Sequence, residues 1–211
     1  MLKTQLLSTF ALAATCASVA PALAAASNFY GVFSLGRAQL DANPAAVDRY
    51  NINNGFTNSQ TASASQTNGG KIQLGYILGN TFALEGGYTF LGKVYFTSLT
   101  NAGPIGGNKD ASLVNLDLVA KLPMNEKFSL LGRFGGYVWQ TRSGMPNAAT
   151  LGNTNVNDYG FNYKLGVGAQ YEFTQKFGMR GEFERFNGIG NDATSGDSKV
   201  NQLTVGAVLK F

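Results

Sequence analysis

The chain has 211 residues, of which 13% are charged and 44% hydrophobic, and its formal net charge is +4. A mean hydropathy of −0.05 is too low for a bundle of membrane helices. The lysines and arginines are scattered singly, which argues against a nucleic-acid partner. Histidine is absent, which excludes Ser-His-Asp catalysis and the commonest metal ligand. We therefore expect no enzyme, no cofactor and no metal site.

The N-terminal segment has the pattern of an export signal. Lys3 precedes an apolar stretch over residues 6–14, and the segment ends in Ala22-Leu23-Ala24. This pattern predicts a signal peptide over residues 1–24, with cleavage within two residues of Ala24. Since Cys16 is the only cysteine and lies in this segment, we expect no disulfide in the mature chain.

The remainder, 28–211, is expected to form one domain. Apolar and polar residues alternate with a period of two in eight of its segments, which predicts β-strands. These segments are 28–37, 71–78, 82–92, 113–122, 128–141, 159–173, 177–186 and 200–211. Long polar loops alternate with short turns between them, and the predicted loops are 38–70, 93–112, 142–158 and 187–199. We expect a short helix over 44–56, and residues 94–97 to extend the third strand.

Charge placement then indicates which strand face meets water. A lysine or arginine on the lipid face of a membrane barrel costs about 2–4 kcal/mol at the midplane and little at the interfaces. Only Arg37 and Arg185 share the apolar face, and both lie at the loop ends of their strands. The charges on the opposite face are Lys71, Glu85, Asp117, Lys121, Arg133, Lys164, Glu172, Arg180, Glu182, Glu184 and Lys210.

These patterns predict an all-β fold, an eight-stranded antiparallel up-and-down transmembrane β-barrel. Outer-membrane barrels have long extracellular loops and short periplasmic turns, so we expect both termini in the periplasm of a Gram-negative cell. A narrow barrel is filled by its own side chains. We expect a lumen ion-pair network of Glu85, Asp117, Arg133, Arg180 and Glu182 near mid-membrane, which would plug the barrel. A gate that exchanges pairs and passes small solutes or ions, as a narrow low-conductance pore, is the alternative.

Aromatic residues mark the periplasmic end of the predicted barrel. We expect an aromatic girdle there, formed by Phe82, Phe128, Tyr171, Phe173 and Phe177. The chain ends on Phe211, expected beside Phe29, with Lys210 pointing into the lumen. A strand with a carboxy-terminal aromatic resembles the assembly signal of bacterial outer-membrane barrels. This resemblance implies that Phe211 is read by the outer-membrane assembly machinery.

Three stretches carry a family resemblance. F-A-L-E-G-G-Y-T-F-L-G (82–92), L-L-G-R-F-G-G-Y-V-W (130–139) and the hairpin over 163–186 resemble strands of OmpA-type and opacity-protein-like barrels. The resemblance implies a structural or surface-antigen role, with adhesion as one form of it. We expect no peptidoglycan-binding domain after the barrel.

Outer-membrane lipid is the expected surrounding, and the four loops are the candidate site for an extracellular ligand. Tyr50, Phe56, Tyr95 and Phe96 are the aromatic residues that could contact it. A third interpretation is a periplasmic lipocalin-like barrel, with its apolar face turned inward around a small ligand.

Overall fold

The computed structural model describes residues 28–40, 42–149 and 152–211. The predicted signal peptide lies outside the described residues. The elements in chain order are β1 (Phe29–Gln39), α1 (Pro44–Asn53), β2 (Ser59–Ser63), β3 (Gln66–Ile77), β4 (Phe82–Thr100), β5 (Gly103–Pro123), β6 (Phe128–Asn147), β7 (Gly152–Glu172), β8 (Phe177–Ile189) and β9 (Ser198–Lys210).

All strands except β2 form a closed antiparallel ring. The order around it is β1-β3-β4-β5-β6-β7-β8-β9, and β9 pairs with β1 from Tyr30↔Lys210 to Gln39↔Asn201. The short strand β2 pairs with the distal part of β4, outside the ring. The predicted eight-stranded up-and-down barrel is confirmed. A closed ring leaves no edge within the membrane, which is the requirement for a sheet in lipid.

Period-two alternation assigns each strand residue to the outside or the lumen. Outward apolar side chains are widely exposed: Phe33 is 53%, Leu116 58% and Val167 64% accessible. Asp117, the next residue to Leu116, is fully buried in the lumen. This is the reverse of a soluble barrel, so the lipocalin-like interpretation, which needs the apolar face inside, is wrong.

The two ends of the barrel differ. The connections 78–81, 124–127 and 173–176 lie at one end of the barrel, together with the first residues of β1 and the last residues of β9. We name this the turn end. The opposite end is the loop end. Strands β4 to β7 have 19 to 21 residues, whereas β1, β3, β8 and β9 have 11 to 13. Because about 9–11 residues cross a bilayer, β4 to β7 continue beyond the loop end as a protruding wall.

The protruding wall corrects the predicted loops. Residues 93–112 and 142–158 are mostly strand, and the extension of the third strand over 94–97 is confirmed. The segment 38–70 contains α1, β2 and the start of β3, and the segment 187–199 shrinks at both ends. Outside the lipid the outer face need not be apolar, so the alternation fades while the backbone ladder continues.

The predicted helix is confirmed as α1 and ends at Asn53. Asn43 caps it by accepting a hydrogen bond from the Ala45 N–H at 3.1 Å, and Pro44 occupies its first position. Within the described ranges, no helix is both long enough and apolar enough to span a bilayer.

Candidate functional site in the barrel lumen

Strand register brings four carboxylates to one level of the lumen. Glu85 on β4 lies directly opposite Asp117 on β5. Glu182 and Glu184 share the inner face of β8. Like charges at such positions repel each other, and buried charges are costly unless they are paired. The arrangement therefore depends on cations that reach the same level from other strands.

Arg133 on β6 is the centre of this cluster. Its guanidinium contacts Glu85, lies 2.9 Å from Asp117 and 2.8 Å from Glu182, and reaches Glu184 at 3.3 Å. Five N–H donors in a planar fork allow one arginine to serve several carboxylates. Arg133 therefore ties β4, β5 and β8 together across the lumen.

Three further cations complete the pairing. Lys71 contacts Glu184 and lies 2.5 Å from Glu182. Lys164 lies 2.6 Å from Glu184 and 2.9 Å from Asp117. Arg180 lies 2.5 Å from Glu85. We name these eight residues the lumen network: Lys71, Arg133, Lys164, Arg180, Glu85, Asp117, Glu182 and Glu184.

The lumen network is electrically balanced and nearly dry. Its four cations match its four carboxylates, and no member is more than 5% exposed. Neutral groups satisfy part of the remaining hydrogen-bonding capacity: the Tyr30 hydroxyl donates to Glu85 at 2.6 Å, and the Gln73 carbonyl oxygen accepts from Arg133 at 3.1 Å, whereas Asp117 Oδ1 and Arg133 Nε have no hydrogen-bond partner. Buried ion pairs are sustained by such additional hydrogen bonds.

Two apolar layers enclose the network inside the lumen. The loop-side layer consists of Ala38, Leu40, Leu91, Val94, Ala111, Leu113, Tyr137, Trp139, Phe186, Ile189 and Val200. The turn-side layer consists of Tyr30, Val32, Ala83, Val119, Leu131 and Val208. Apolar layers exclude water, and a low local dielectric strengthens every ion pair between them.

The chain's own segments cover the loop end. The ammonium group of Lys109, fully buried, donates to the Gly196 carbonyl at 2.9 Å, and the Asn43 N–H donates to the Ser195 carbonyl at 3.0 Å. Beneath α1 lies a third apolar cluster, formed by Ala42, Val47, Phe96 and Met145. The α1 segment and the segment between β8 and β9 are thereby joined over the loop-side layer.

A closed ring with an apolar outside and a charged lumen is the architecture of outer-membrane barrels. A family model for the outer membrane protein β-barrel domain matches residues 9–211. The chain belongs to this family. It is 26% identical to outer membrane protein A of Klebsiella pneumoniae over 161 residues, 75% of this chain and 45% of that protein. It is 28% identical to outer membrane protein A of Salmonella typhi over 142 residues, 65% of this chain and 38% of that protein.

The chain thus spans less than half the length of these relatives. Among solved structures, outer membrane protein OprG from Pseudomonas aeruginosa has a TM-score of 0.55 at 10% identity, covering 88% of this chain and 97% of that one. Neisserial surface protein A has a TM-score of 0.54 at 13% identity, covering 87% and 97%. At such identities the likeness shows the fold alone.

For this outer-membrane barrel, the structure brings all five predicted lumen residues into one cluster. Ion pairs join Glu85, Asp117, Arg133, Arg180 and Glu182. Sequence reasoning placed Lys71, Lys164 and Glu184 on the inner face but left them out of the cluster. Their positions in the period-two alternation showed that they face inward. Their height in the barrel, which decides whether they join the cluster, follows only from the strand register.

The turn end also has the expected placements. The outward aromatics there are Phe82, Phe128, Tyr171, Phe173 and Phe177. The Phe173 ring centroid lies 5.2 Å from that of Tyr171 and 5.6 Å from that of Phe177. The Phe211 N–H donates to the Phe29 carbonyl at 3.1 Å, and Lys210 meets Glu172 in the lumen at 2.7 Å. The roles of these residues as girdle and assembly signal stay predictions.

The predicted loop aromatics need a correction. Phe56 and Phe96 are only 3% and 2% exposed, so they belong to the interior, and Tyr50 packs against the cluster beneath α1. Tyr95 alone is widely exposed, at 65%. Along β4, inward- and outward-facing residues continue to alternate beyond the membrane, and Phe96 there is covered by α1 and β2. No pattern within a single strand predicts that these two elements cover it.

Within the described ranges, no group of three or more His, Cys, Asp or Glu side chains is arranged to hold a metal ion. The chemical capacity of the lumen network is to hold eight charges at fixed positions between two apolar layers.

Proposed function

We propose that this protein is a structural, surface-exposed component of the outer membrane whose lumen is closed to ions. The supporting observation is the lumen network between its two apolar layers. All eight charges are paired within the network, and each is at least 95% buried. A permeating ion would have to displace paired side chains and cross the loop-side layer.

The cost of separating buried ion pairs favours a plug. Separating a buried ion pair costs about 3–5 kcal/mol when one partner is left uncompensated. At about 1.4 kcal/mol per factor of ten, a state with one separated pair is populated in fewer than about one molecule in a hundred. An open path would need more than one separation, because Arg133 alone contacts four carboxylates.

Planar-bilayer conductance of the refolded protein tests the plug. We expect no discrete current steps from the wild type. Arg142→Ala is the matched control for Arg133→Ala, because Arg142 is an exposed arginine on the same strand. Discrete wild-type channels that Arg133→Ala abolishes and Arg142→Ala preserves would overturn the plug.

A narrow pore is the second candidate, and one observation favours it. Glu184 contacts three cations, Lys71, Arg133 and Lys164, so pairs could exchange without leaving a charge alone. Such a pore would show rare, brief openings in the same recordings. Glu184→Gln should then change their frequency, whereas Asp192→Asn, an exposed carboxylate outside the network, should not.

We also propose that the protruding wall is the surface available to an extracellular partner, with an adhesive role. Tyr95 and Leu99 on its outer face are 65% and 57% exposed. Since Cys16 lies in the proposed signal peptide, single-cysteine variants have no background thiol. Tyr95→Cys should react with a membrane-impermeant maleimide on intact cells, whereas Lys127→Cys at the turn end should not.

The reverse labelling pattern would refute the proposed orientation, in which both termini lie in the periplasm.

A partner-binding role predicts that Tyr95→Ala combined with Leu99→Ala lowers adhesion of the cells to a host-derived matrix. The matched control is Lys127→Ala, at the opposite end. Equal adhesion of the wild type, the double variant and the Lys127→Ala control would refute the adhesive role.

We further propose export through the signal peptide 1–24, a mature barrel domain over 28–211, and assembly that depends on Phe211 and the outer-membrane assembly machinery. N-terminal sequencing of the mature protein should begin within two residues of Ala25. A chain that retains Met1 in the outer membrane would refute this cleavage. We propose no catalytic role, because the candidate carboxylate pair of Glu182 and Glu184 is engaged by Lys71 and Arg133.

A further inference from the structure

A cavity of about 210 Å³ lies at the turn end, between the lumen network and the turn at residues 79–81. Part of its wall is apolar and consists of Val119, Leu131 and Val208 of the turn-side layer, and the rest is polar and includes Thr81 and Gln170. Arg180 reaches it from the network side. The cavity is therefore amphipathic, with a cation at its inner end and apolar walls below.

Arg180 has hydrogen-bonding capacity that the protein leaves unused. The residue is only 4% exposed. Its Nε donates to Gln170 at 3.0 Å, and its Nη1 donates to Glu85 at 2.5 Å. The Tyr30 hydroxyl is its other polar neighbour, and among the described residues no group accepts from its Nη2 in good hydrogen-bond geometry. This nitrogen is not among the fully buried polar atoms that lack a partner, so it is accessible from the cavity that Arg180 lines, and an anionic acceptor there would complete its hydrogen bonding.

The rim of the cavity has the same sign of charge. Lys121 and Lys210 both line it. They share a single carboxylate, Glu172, at 2.6 Å and 2.7 Å. Two cations and one anion leave a net charge of +1 at the rim. An anion that approaches from the turn end is thus attracted before it reaches the interior.

We propose that this cavity binds a small organic monocarboxylate, whose carboxylate accepts from Arg180 and whose apolar body packs against Val119, Leu131 and Val208. Its volume equals the liquid share of about seven water molecules and lies below the roughly 300–1,000 Å³ of drug-sized sites. A long acyl chain is therefore too large. An inorganic anion would leave the apolar walls without a partner.

Binding of 3-phenylpropanoate to the refolded full chain in neutral maltoside micelles tests the proposal. The uncharged 3-phenylpropanamide is the matched probe for the carboxylate. We expect saturable binding by titration calorimetry, with the amide weaker by about tenfold or more, because a charged hydrogen bond is lost. Acetate, which has the carboxylate without the apolar body, should bind more weakly than 3-phenylpropanoate.

Two neighbouring residues provide a matched pair of variants. Leu131 faces the cavity and Leu130 faces outward, at 5% and 42% exposure. Leu131→Trp should fill the cavity and abolish binding, whereas Leu130→Trp should bind like the wild type. The gel-mobility shift on heating checks that each variant folds, and Val119→Phe replaces Leu131→Trp if that variant does not.

Arg180→Gln tests the role of the guanidinium separately. It should remove the preference for the acid over the amide while leaving amide binding in place. Equal affinity of acid and amide for the wild type would overturn the proposal. So would undiminished binding to a folded cavity-filling variant, or the absence of saturable binding by any of the three probes.

Discussion

Replacing Arg133 by methionine is the most informative perturbation of the lumen network. It keeps most of the side-chain volume but leaves three cations facing four carboxylates at nearly full burial. Breaking a buried ion pair by removing one partner costs about 3–5 kcal/mol. We expect the free energy of unfolding to fall by this amount, toward the upper end because four carboxylates lose a contact.

The structure also predicts which second change repairs the loss. Without Arg133, three pairs remain: Glu85 with Arg180, Asp117 with Lys164, and Glu184 with Lys71. Glu182 is then the excess charge, so Arg133→Met combined with Glu182→Gln should recover much of the lost stability.

Urea unfolding in lipid vesicles measures these changes through the fluorescence of Trp139, the only tryptophan of the chain. Arg142→Met is the matched control on the same strand, because an exposed arginine should change stability by no more than about 0.5 kcal/mol. If Arg133→Met were as mild as Arg142→Met, the network would not stabilise the barrel. A double variant no more stable than Arg133→Met would contradict the assigned pairing.

Three further predictions concern the lipid face, the packing inside the lumen and the C-terminal residue. Leu116→Arg on the lipid face should lower the free energy of unfolding in vesicles by about 2–4 kcal/mol; an unchanged value would contradict the membrane span. Gly75→Ala should destabilise by about 1–3 kcal/mol in the same measurement, because a Cβ there would overlap the Tyr30 ring, whereas Gly132→Ala meets nothing within 4 Å and should be mild. Deleting Phe211 should lower the heat-modifiable fraction in the outer membrane, measured by fractionation and gel mobility, without reducing synthesis; normal assembly would refute its role as a signal.

Much of the barrel could be predicted because alternate residues along a membrane strand face lipid and the lumen. Along β5, Leu116 and Leu118 face lipid while Asp117 between them faces the lumen. Lipid is uniform around the barrel, so each strand repeats the same rule without reference to its neighbours. The inward placement of Glu85 and Arg133 followed from that rule alone.

The rule stops being informative where the lipid ends. Tyr95 and Phe96 were equivalent as loop aromatics, yet the first is 65% exposed and the second 2%. Beyond the membrane the ladder continues through polar residues, and the burial of a side chain depends on whether α1 or β2 covers it. Such cover is a contact between distant segments, and alternation along one strand does not encode it.

By itself, the sequence determined the number of strands in the ring, their inner and outer faces within the membrane, and the charges of the lumen network that lie on the inner face. Only the tertiary structure decided which charge pairs with which, and that the pairs lie between two apolar layers. Lys71 and Glu184 are 113 positions apart along the chain, and they meet because the registers of all the strands place them at the same height. The alternation of inward and outward residues is a local property of each strand, whereas the height of a residue in the lumen depends on the register of every strand in the closed ring.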